Sequence, residues 1–315
     1  QAIVDKVATL YGPRFDVESE VTVTAGATQA IFTAIAAFVR PGDEVIVFEP
    51  VYDSYVPAIE TVGGTAVFAQ LKFPDYAPDW AQVAQLISPK TRLIIVNSPH
   101  NPSGSLLTAV DLEKLAELVR GTNILILSDE VYEHILFDGE AHASLCGHAE
   151  LAQRSIVVSS FGKTYHITGW KIGYVVGPAA LMAEFRKVHQ FNVFTVHTPS
   201  QLALAEYMQD ASRHLGLAAF YQEKRDFFRQ LMAATPFQLL PCRGTYFQLA
   251  SYAGLSDLPD RAFAEWLTRE VGVAVIPVSV FYASGQDDRV VRFCFAKQES
   301  TLRAGVERLV KAFAG

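Results

Sequence analysis

The sequence predicts an α/β protein: a three-layer lobe built on a mostly parallel sheet, followed by a smaller α+β lobe. Three observations predict it. Strand-like and helix-like runs alternate from the first turn onward, and the strand-like runs are apolar throughout, as in a sheet covered on both faces. A helical run with period near 3.6 separates two of these strands, a spacing that calls for a parallel crossover. From Pro199 onward the alternation gives way to a long helical stretch and shorter strands. At 315 residues, 50% apolar and 19% charged, the chain has enough material for two packed lobes.

Ile3, Val4, Val7 and Leu10 place Gln1 in what reads as the middle of a helix, so a preceding segment is expected. Glu20 to Thr24 reads as a strand, and the Ala/Ile/Phe-rich stretch Gln29 to Val39 as a helix buried on most sides. Pro41-Gly42-Asp43 is a turn. Glu44 to Phe48, Arg92 to Asn97 and Asn123 to Ser128 read as strands, the last two separated by the helix carrying Val110, Leu112, Leu115, Leu118 and Val119. Ser155 to Ser159 is a further strand, and a second apolar run begins at Ile172. Beyond it, Pro199 to about Met232 reads as one long helix. Strands come next at Phe237 to Leu240, Thr245 to Leu249 and Arg289 to Phe295, with helices at Arg261 to Val271 and Glu299 to Phe313. The expected division is 1–210 and 211–315, with the boundary inside the long helix.

Composition excludes several classes of function. A net charge of -7 with no basic cluster argues against a nucleic-acid or anionic-membrane surface. The apolar run from Val271 to Ala283 is broken by Pro277 and too short to span a bilayer. The three cysteines, Cys146, Cys242 and Cys294, are far apart and make neither a metal-spaced pair nor a disulfide framework. A reducing, cytoplasmic setting is expected. Gly162-Lys163-Thr164 looks like the end of a P-loop, but Val157 stands where the first glycine is required. His142 and His148 lack partners for zinc, and no metal is expected.

In a parallel sheet, ligands bind beyond the carboxyl ends of the strands. Each strand here ends in a polar or glycine-rich segment: Gly26-Ala27-Thr28, then Tyr52, Asn97 to Gly104, Asp129 to Tyr132, and Ser160 to Lys163. Singly, these are ordinary turns, caps or half-buried residues. Together they put a lysine, a carboxylate, an amide, aromatic rings and hydroxyls on one rim. Lys163 is the candidate nucleophile, an amine that could hold an aldehyde as a Schiff base. Ser160, Lys171 and the amides of Ala27 and Thr28 at a helix N-terminus suit a phosphate. Asp129, with no basic residue nearby in sequence, suits a protonated ring nitrogen. Asn101 and Tyr132 can donate to a ring oxygen, and Tyr52 offers a stacking face. Arg292, in an apolar strand, needs an anion, and a carboxylate matches its fork.

These residues resemble a known family. Asn101-Pro102-Ser103-Gly104, Ser128-Asp129-Glu130-Val131-Tyr132, Ser160-Phe161-Gly162-Lys163-Thr164 and Val291-Arg292-Phe293 are similar, in order and spacing, to the motifs of class I aminotransferases of the aspartate aminotransferase fold. The resemblance covers the whole chain. It implies a fold type I transferase with pyridoxal 5'-phosphate as cofactor. Lys163 would carry the cofactor and shuttle the proton, and Asp129 would pair the ring nitrogen. Asn101 and Tyr132 would contact the ring oxygen, Tyr52 the ring, and Ala27, Thr28, Ser160 and Lys171 the phosphate. Arg292 would bind the substrate carboxylate. Lys171 stands where the family often has arginine. The family also carries an N-terminal arm ahead of the point where this chain starts. It closes the small lobe and reaches the partner subunit's site, so a homodimer is implied, while the activity of the chain without that arm is an open expectation.

Ser98 to Gly104, Tyr52-Asp53-Ser54-Tyr55 and Lys163 to Lys171 resemble the methionine and kynurenine aminotransferases in particular. No second arginine for a dicarboxylate is evident. The expected donor is an apolar, sulfur-containing or aromatic L-amino acid, and the acceptor a 2-oxo acid. Phe191 to Thr198 and Val278 to Tyr282 are expected to shape selectivity, with Phe281 and His100 named as substrate-side residues. Two alternatives stand beside this reading: a β-lyase of the same fold, and a non-catalytic aminotransferase-like sensor fused to a DNA-binding module.

Overall fold

Eight strands form the central sheet in a computed structural model that describes residues 1–314. They are β1 (Val21–Thr24), β2 (Glu44–Glu49), β3 (Thr65–Lys72), β4 (Ala77–Pro78), β5 (Thr91–Asn97), β6 (Leu125–Asp129), β7 (Ser155–Ser160) and β8 (Gly173–Val176), in the spatial order β1-β8-β7-β6-β5-β2-β3-β4. The pairs β3-β2, β2-β5, β5-β6 and β6-β7 are parallel, while β8 runs antiparallel to both β7 and β1. Two reversals cancel, so β1 points the same way as β7. Six strands therefore share one direction, and five of them, β1, β2, β5, β6 and β7, deliver their carboxyl ends and the loops behind them to one site.

β5 through β7 are almost fully buried because β-branched and leucine side chains cover both faces. Helix Ala27–Phe38 packs with Ala179–Asn192 on one face, where Ile31, Ile35, Phe38 and Phe185 meet Val45, Val47, Ile95, Leu127 and Val158. Helix Ala109–Val119 covers the other face through Leu112, Leu115 and Val119. A Thr108–Asp111 capping box starts that helix, satisfying two of its orphan donors reciprocally.

The smaller sheet holds β9 (Gln238–Leu239), β10 (Phe247–Ser251), β11 (Ile276–Pro277) and β12 (Val290–Cys294), in the order β11-β12-β10-β9, all antiparallel. Its core of Phe228, Phe237, Phe263, Phe293 and Phe295 also takes in Val131, Tyr132, Ile135 and Phe137 from the loop after β6. The segment that carries site residues thus packs into both lobes.

The expected single helix from Pro199 to Met232 is broken. It comprises Thr198–Tyr207, Ser212–Leu215 and Leu217–Met232. The interruption has a local cause: the Asp210 carboxylate accepts both the N–H of Ser212 at 3.0 Å and its hydroxyl at 2.6 Å, a turn that competes with the helix. β3 was not evident in the sequence, being an edge-side strand with an exposed start after Gly63-Gly64.

Candidate active site

A cavity of about 350 Å³ opens where the five strand ends converge. Ala27, Thr28, Tyr52, Asn101, Asp129, Tyr132, Ser160, Lys163, Lys171 and Arg292 all line it. Each arrives by a local rule. Gly26, at φ 81, turns the chain from β1 into helix Ala27–Phe38, whose start has no side-chain cap. Its first amides are thus left for an anion. Lys171 sits in the left-handed region at φ 53, and its Nζ lies 3.6 Å from where a Cβ on Gly26 would be. Gly173 must also lack a side chain: its Cβ would stand 2.6 Å from the Ser159 carbonyl oxygen and 3.2 Å from the Ala27 amide nitrogen. β8, the helix start and the Ser160 strand end therefore close on one another, with the Lys171 ammonium above them.

Asp129 ends β6 almost wholly buried. Tyr55 donates its hydroxyl to Oδ2 at 2.6 Å, and the Val131 amide lies 3.3 Å from Oδ1. Lys163 acts on the carboxylate only through space, and no described cation forms an ion pair with it. Burial outweighs the two hydrogen bonds and lifts its pKa from 3.8 to about 6. This is a buried carboxylate without a neutralising partner.

Lys163 Nζ, half-buried, donates to the Tyr246 hydroxyl at 3.0 Å and stands 5.6 Å from the ring centroids of both Tyr132 and Tyr246. Its partner is neutral, so the amine is not tied up in an ion pair. Arg292, on β12, stacks on Phe247 with Cζ 4.0 Å from the ring centroid and donates to Asn101 Oδ1. Burial lowers its pKa, and no described carboxylate pairs with it. The guanidinium is held by a ring and an amide and keeps capacity for an anion.

Two expected residues lie elsewhere. His100 is buried outside the cavity wall. Its Nδ1 lies 2.7 Å from Ser103 Oγ, and burial, opposed by a hydrogen bond to the Pro50 backbone, takes its pKa down to about 3. It is a neutral brace between the loops that carry Tyr52 and Asn101, not a lining residue. Phe281 is likewise buried and faces Arg292, with the ring centroid 5.3 Å from Cζ, so it abuts the site from behind. Three residues were missed. Asn97 holds the Asp129 backbone carbonyl through Nδ2 at 2.9 Å and accepts the Asn101 amide at 2.8 Å. Tyr55 and Tyr246 reach Asp129 and Lys163 from distant parts of the chain. Asn97 and Tyr55 had local signals, Asn97 as the end of β5 in the polar segment Asn97 to Gly104 and Tyr55 three residues after Tyr52 at the start of helix Tyr55–Thr61.

An α/β sheet whose rim presents a half-buried lysine, an unneutralised carboxylate, an anion-ready helix start and an unpaired arginine defines an enzyme that works on amines and carboxylates. The chain belongs to the aminotransferase class I and II family, whose model matches residues 1–309. It is 50% identical over 310 residues to the methionine aminotransferase of Escherichia coli K12, covering 98% of this chain and 80% of that protein. It is 34% identical over 336 residues to kynurenine–oxoglutarate transaminase 1 of Rattus norvegicus, covering 96% of this chain and 79% of that protein. The crystal structure of an E. coli protein with methionine aminotransferase function superimposes with a TM-score of 0.96 at 49% identity, over 98% of this chain and 82% of that one.

Proposed function

We propose that this aminotransferase uses pyridoxal phosphate, and that it moves the amino group of an apolar, sulfur-containing or aromatic L-amino acid to a 2-oxo acid, with Lys163 as the reacting amine. The observation that carries the reading is the pair Asp129 and Lys163 in one cavity, a buried carboxylate lacking a cation and an amine lacking an anion. The donor set fits the cofactor. Asp129 would take the N–H of a protonated ring nitrogen, and Tyr52 would cover a ring face. Tyr132 and the Asn101 amide would face the ring oxygen. The amides of Ala27 and Thr28, Ser160 Oγ and Lys171 Nζ would hold the phosphate. When bound, pyridoxal phosphate supplies an aldehyde and an electron-withdrawing ring. Arg292 would receive the substrate carboxylate, orienting the α-hydrogen toward Lys163, whose Nζ takes that proton and later returns it.

Among the described residues, Arg292 is the one arginine lining the cavity, which supports a donor without a second carboxylate. The names of the methionine and kynurenine relatives support the same class. We delimit the small lobe at 211–315; it carries Arg292 and Tyr246, so its position on the large lobe sets how closed the site is. Homodimer formation is proposed on the exposed Phe191, Phe194, Leu202 and Tyr207. The free thiols of Cys146, Cys242 and Cys294 support a reducing, cytoplasmic setting, and no described helix is long and apolar enough to cross a membrane.

The test is product analysis. The purified chain is supplied with pyridoxal phosphate, then with methionine, kynurenine or aspartate, each with and without a 2-oxo acid. The expected outcome is a new amino acid formed only when the 2-oxo acid is present, with methionine or kynurenine ahead of aspartate. Ammonia and pyruvate released from a sulfur amino acid without an acceptor would overturn the transfer reading in favour of elimination. Aspartate as the best donor would overturn the donor class.

A further inference from the structure

Tyr246 reaches Lys163 from the small lobe by a backbone path built to aim it. Thr245, just before it, is fully buried at φ 66, a left-handed conformation that a β-branched residue adopts only under constraint. The constraint is visible. The Arg243 and Gly244 amides both donate to the Gly104 carbonyl at 3.0 Å, the Thr245 amide donates to Ile135 O at 3.0 Å, and the Phe295 amide donates to Tyr246 O at 3.1 Å. Gly244 fits only as glycine, since its Cβ would lie 2.8 Å from Pro99 Cβ and 2.9 Å from Ile135 O. The segment is thus stitched to the loop carrying Asn101 and to the loop carrying Tyr132. The Tyr246 ring meets Tyr132 edge-on at 5.3 Å and lies 5.8 Å from Tyr221, a cage that fixes its direction. The hydroxyl at the end of this path receives the Lys163 N–H at 3.0 Å.

We propose that Tyr246 is a further catalytic residue of the amine transfer: its hydroxyl oxygen accepts a hydrogen bond from an N–H of Lys163 in both the neutral and the protonated amine, keeping the Nζ lone pair aimed at the substrate α-proton. The inference rests on the proposed function for the identity of that proton. The Lys163 lone pair would take the proton released from the substrate Cα, and bound pyridoxal phosphate would supply the electron-withdrawing ring that accommodates the electron pair left behind. Tyr246 keeps its own proton throughout and goes on accepting an N–H of Lys163, which the amine offers in both protonation states, so the one lone pair of the neutral amine stays free for the α-proton. A phenylalanine in its place would keep the cage and lose this function.

Two measurements on Tyr246→Phe test it, each against wild type, with far-UV circular dichroism confirming the fold. In the cofactor-free chain, reductive methylation with formaldehyde and cyanoborohydride at fixed pH is followed at Lys163 by peptide mass spectrometry, with exposed Lys187 as reference. The expected result is Lys163 labelling several-fold faster in the variant and Lys187 unchanged, because the amine has lost its partner. In the chain loaded with pyridoxal phosphate, the single-turnover rate with methionine is expected to fall about 10-fold or more, with KM little changed. The primary isotope effect from α-deuterated methionine is expected to rise as proton transfer becomes limiting. Equal labelling rates would overturn the contact. Faster labelling with an unchanged rate and isotope effect would overturn the catalytic assignment. Wild type that fails to react with methionine while the labelling difference persists would count against the proposed function and leave the contact standing.

Discussion

Two lysine–carboxylate clusters lie near each other in this protein and are built on opposite principles. Behind the sheet, Lys6 and Glu133 form an ion pair at 2.6 Å, and both are buried. The Glu133 carboxylate also takes the hydroxyls of Tyr11, Tyr174 and Ser159. Burial opposes its charge, yet Lys6, His134 and those donors overcome the penalty and hold the carboxyl well below the ordinary 4.5. On the rim, Asp129 has only a tyrosine hydroxyl and one long amide contact, and Lys163 has only a tyrosine. The two buried carboxylates are four residues apart, Asp129 at the end of β6 and Glu133 on the loop that follows it. The difference is satisfaction. A carboxylate whose partners are complete holds a fold together, and one whose partners are incomplete is waiting for a ligand.

The comparison breaks first at Lys163. Lys163→Ala removes an amine of the rim whose hydrogen-bond partner is a tyrosine hydroxyl and not an anion. Single-turnover rates with methionine are expected to fall roughly 10⁴-fold or more, the scale seen when a nucleophile or proton carrier is removed. Urea unfolding of the cofactor-free variant is expected to stay near wild type, because the lost partner is a neutral hydroxyl. A rate within 10-fold of wild type would remove Lys163 from the chemistry.

The reverse holds behind the sheet. Lys6→Ala leaves Glu133 buried and unpaired, and breaking a buried ion pair from one side costs about 3–5 kcal/mol. The urea midpoint is expected to fall accordingly. Glu133→Gln combined with Lys6→Met, which removes both charges, is expected to recover most of the loss. Should Lys6→Ala unfold at the wild-type midpoint, the complete cluster would not be what secures helix Ala2–Tyr11 to the sheet.

The two carboxylates also predict opposite pH limbs. Asp129 has a folded value of about 6, above its ordinary 3.8. Its ionisation therefore weakens folding. The penalty, about 3 kcal/mol, is full above pH 6 and fades as pH falls, disappearing below the unfolded value. Glu133 is depressed, so its contribution is full above 4.5 and is lost only as pH falls through its lower folded value. Between pH 7 and 5, Asp129 should thus dominate. Cofactor-free Asp129→Asn is expected to be more stable than wild type at pH 7 and to lose that advantage toward pH 5, as read from guanidinium midpoints. An advantage that persists unchanged at pH 5 would mean that Asp129 is not strained by its burial.

The rim cluster was largely legible in the sequence and the rear cluster was not, for a physical reason. Lys163, Asp129, Asn101 and Thr28 each come within a few residues of the end of an apolar strand, and the common direction of those strands is enough to gather them. Lys6 finds Glu133 across 127 positions, Tyr246 finds Lys163 across 83 and Tyr55 finds Asp129 across 74, with no periodicity linking the partners. His100 shows the same limit within one loop: it neighbours Asn101 in sequence, yet its ring turns toward Pro50 and Ser103, because a loop lacks the repeat that tells which way a side chain points. The broken helix at Asp210 was missed for the opposite reason, since one side-chain turn outweighed an otherwise helical composition.

The finest test of the comparison adds or removes a single donor. Tyr55→Phe deletes the hydroxyl that donates to Asp129 at 2.6 Å and keeps the ring that Tyr52 meets edge-on at 5.6 Å. Asp129 would then retain only the Val131 amide. Losing one hydrogen bond to a buried charge costs about 1–3 kcal/mol, but here the charged carboxylate can shed part of that cost by taking up a proton. The stability loss is therefore expected at pH 7.5 and to shrink at pH 5, measured as the difference in urea midpoints in cofactor-free protein. With pyridoxal phosphate bound, a ring nitrogen would supply Asp129 with the cationic partner it lacks, so the same substitution is expected to cost less in the loaded chain than in the empty one. A cost that is the same with and without pyridoxal phosphate would mean that the ligand does not complete the Asp129 cluster, and the distinction between the two carboxylates would fail at its most exposed point.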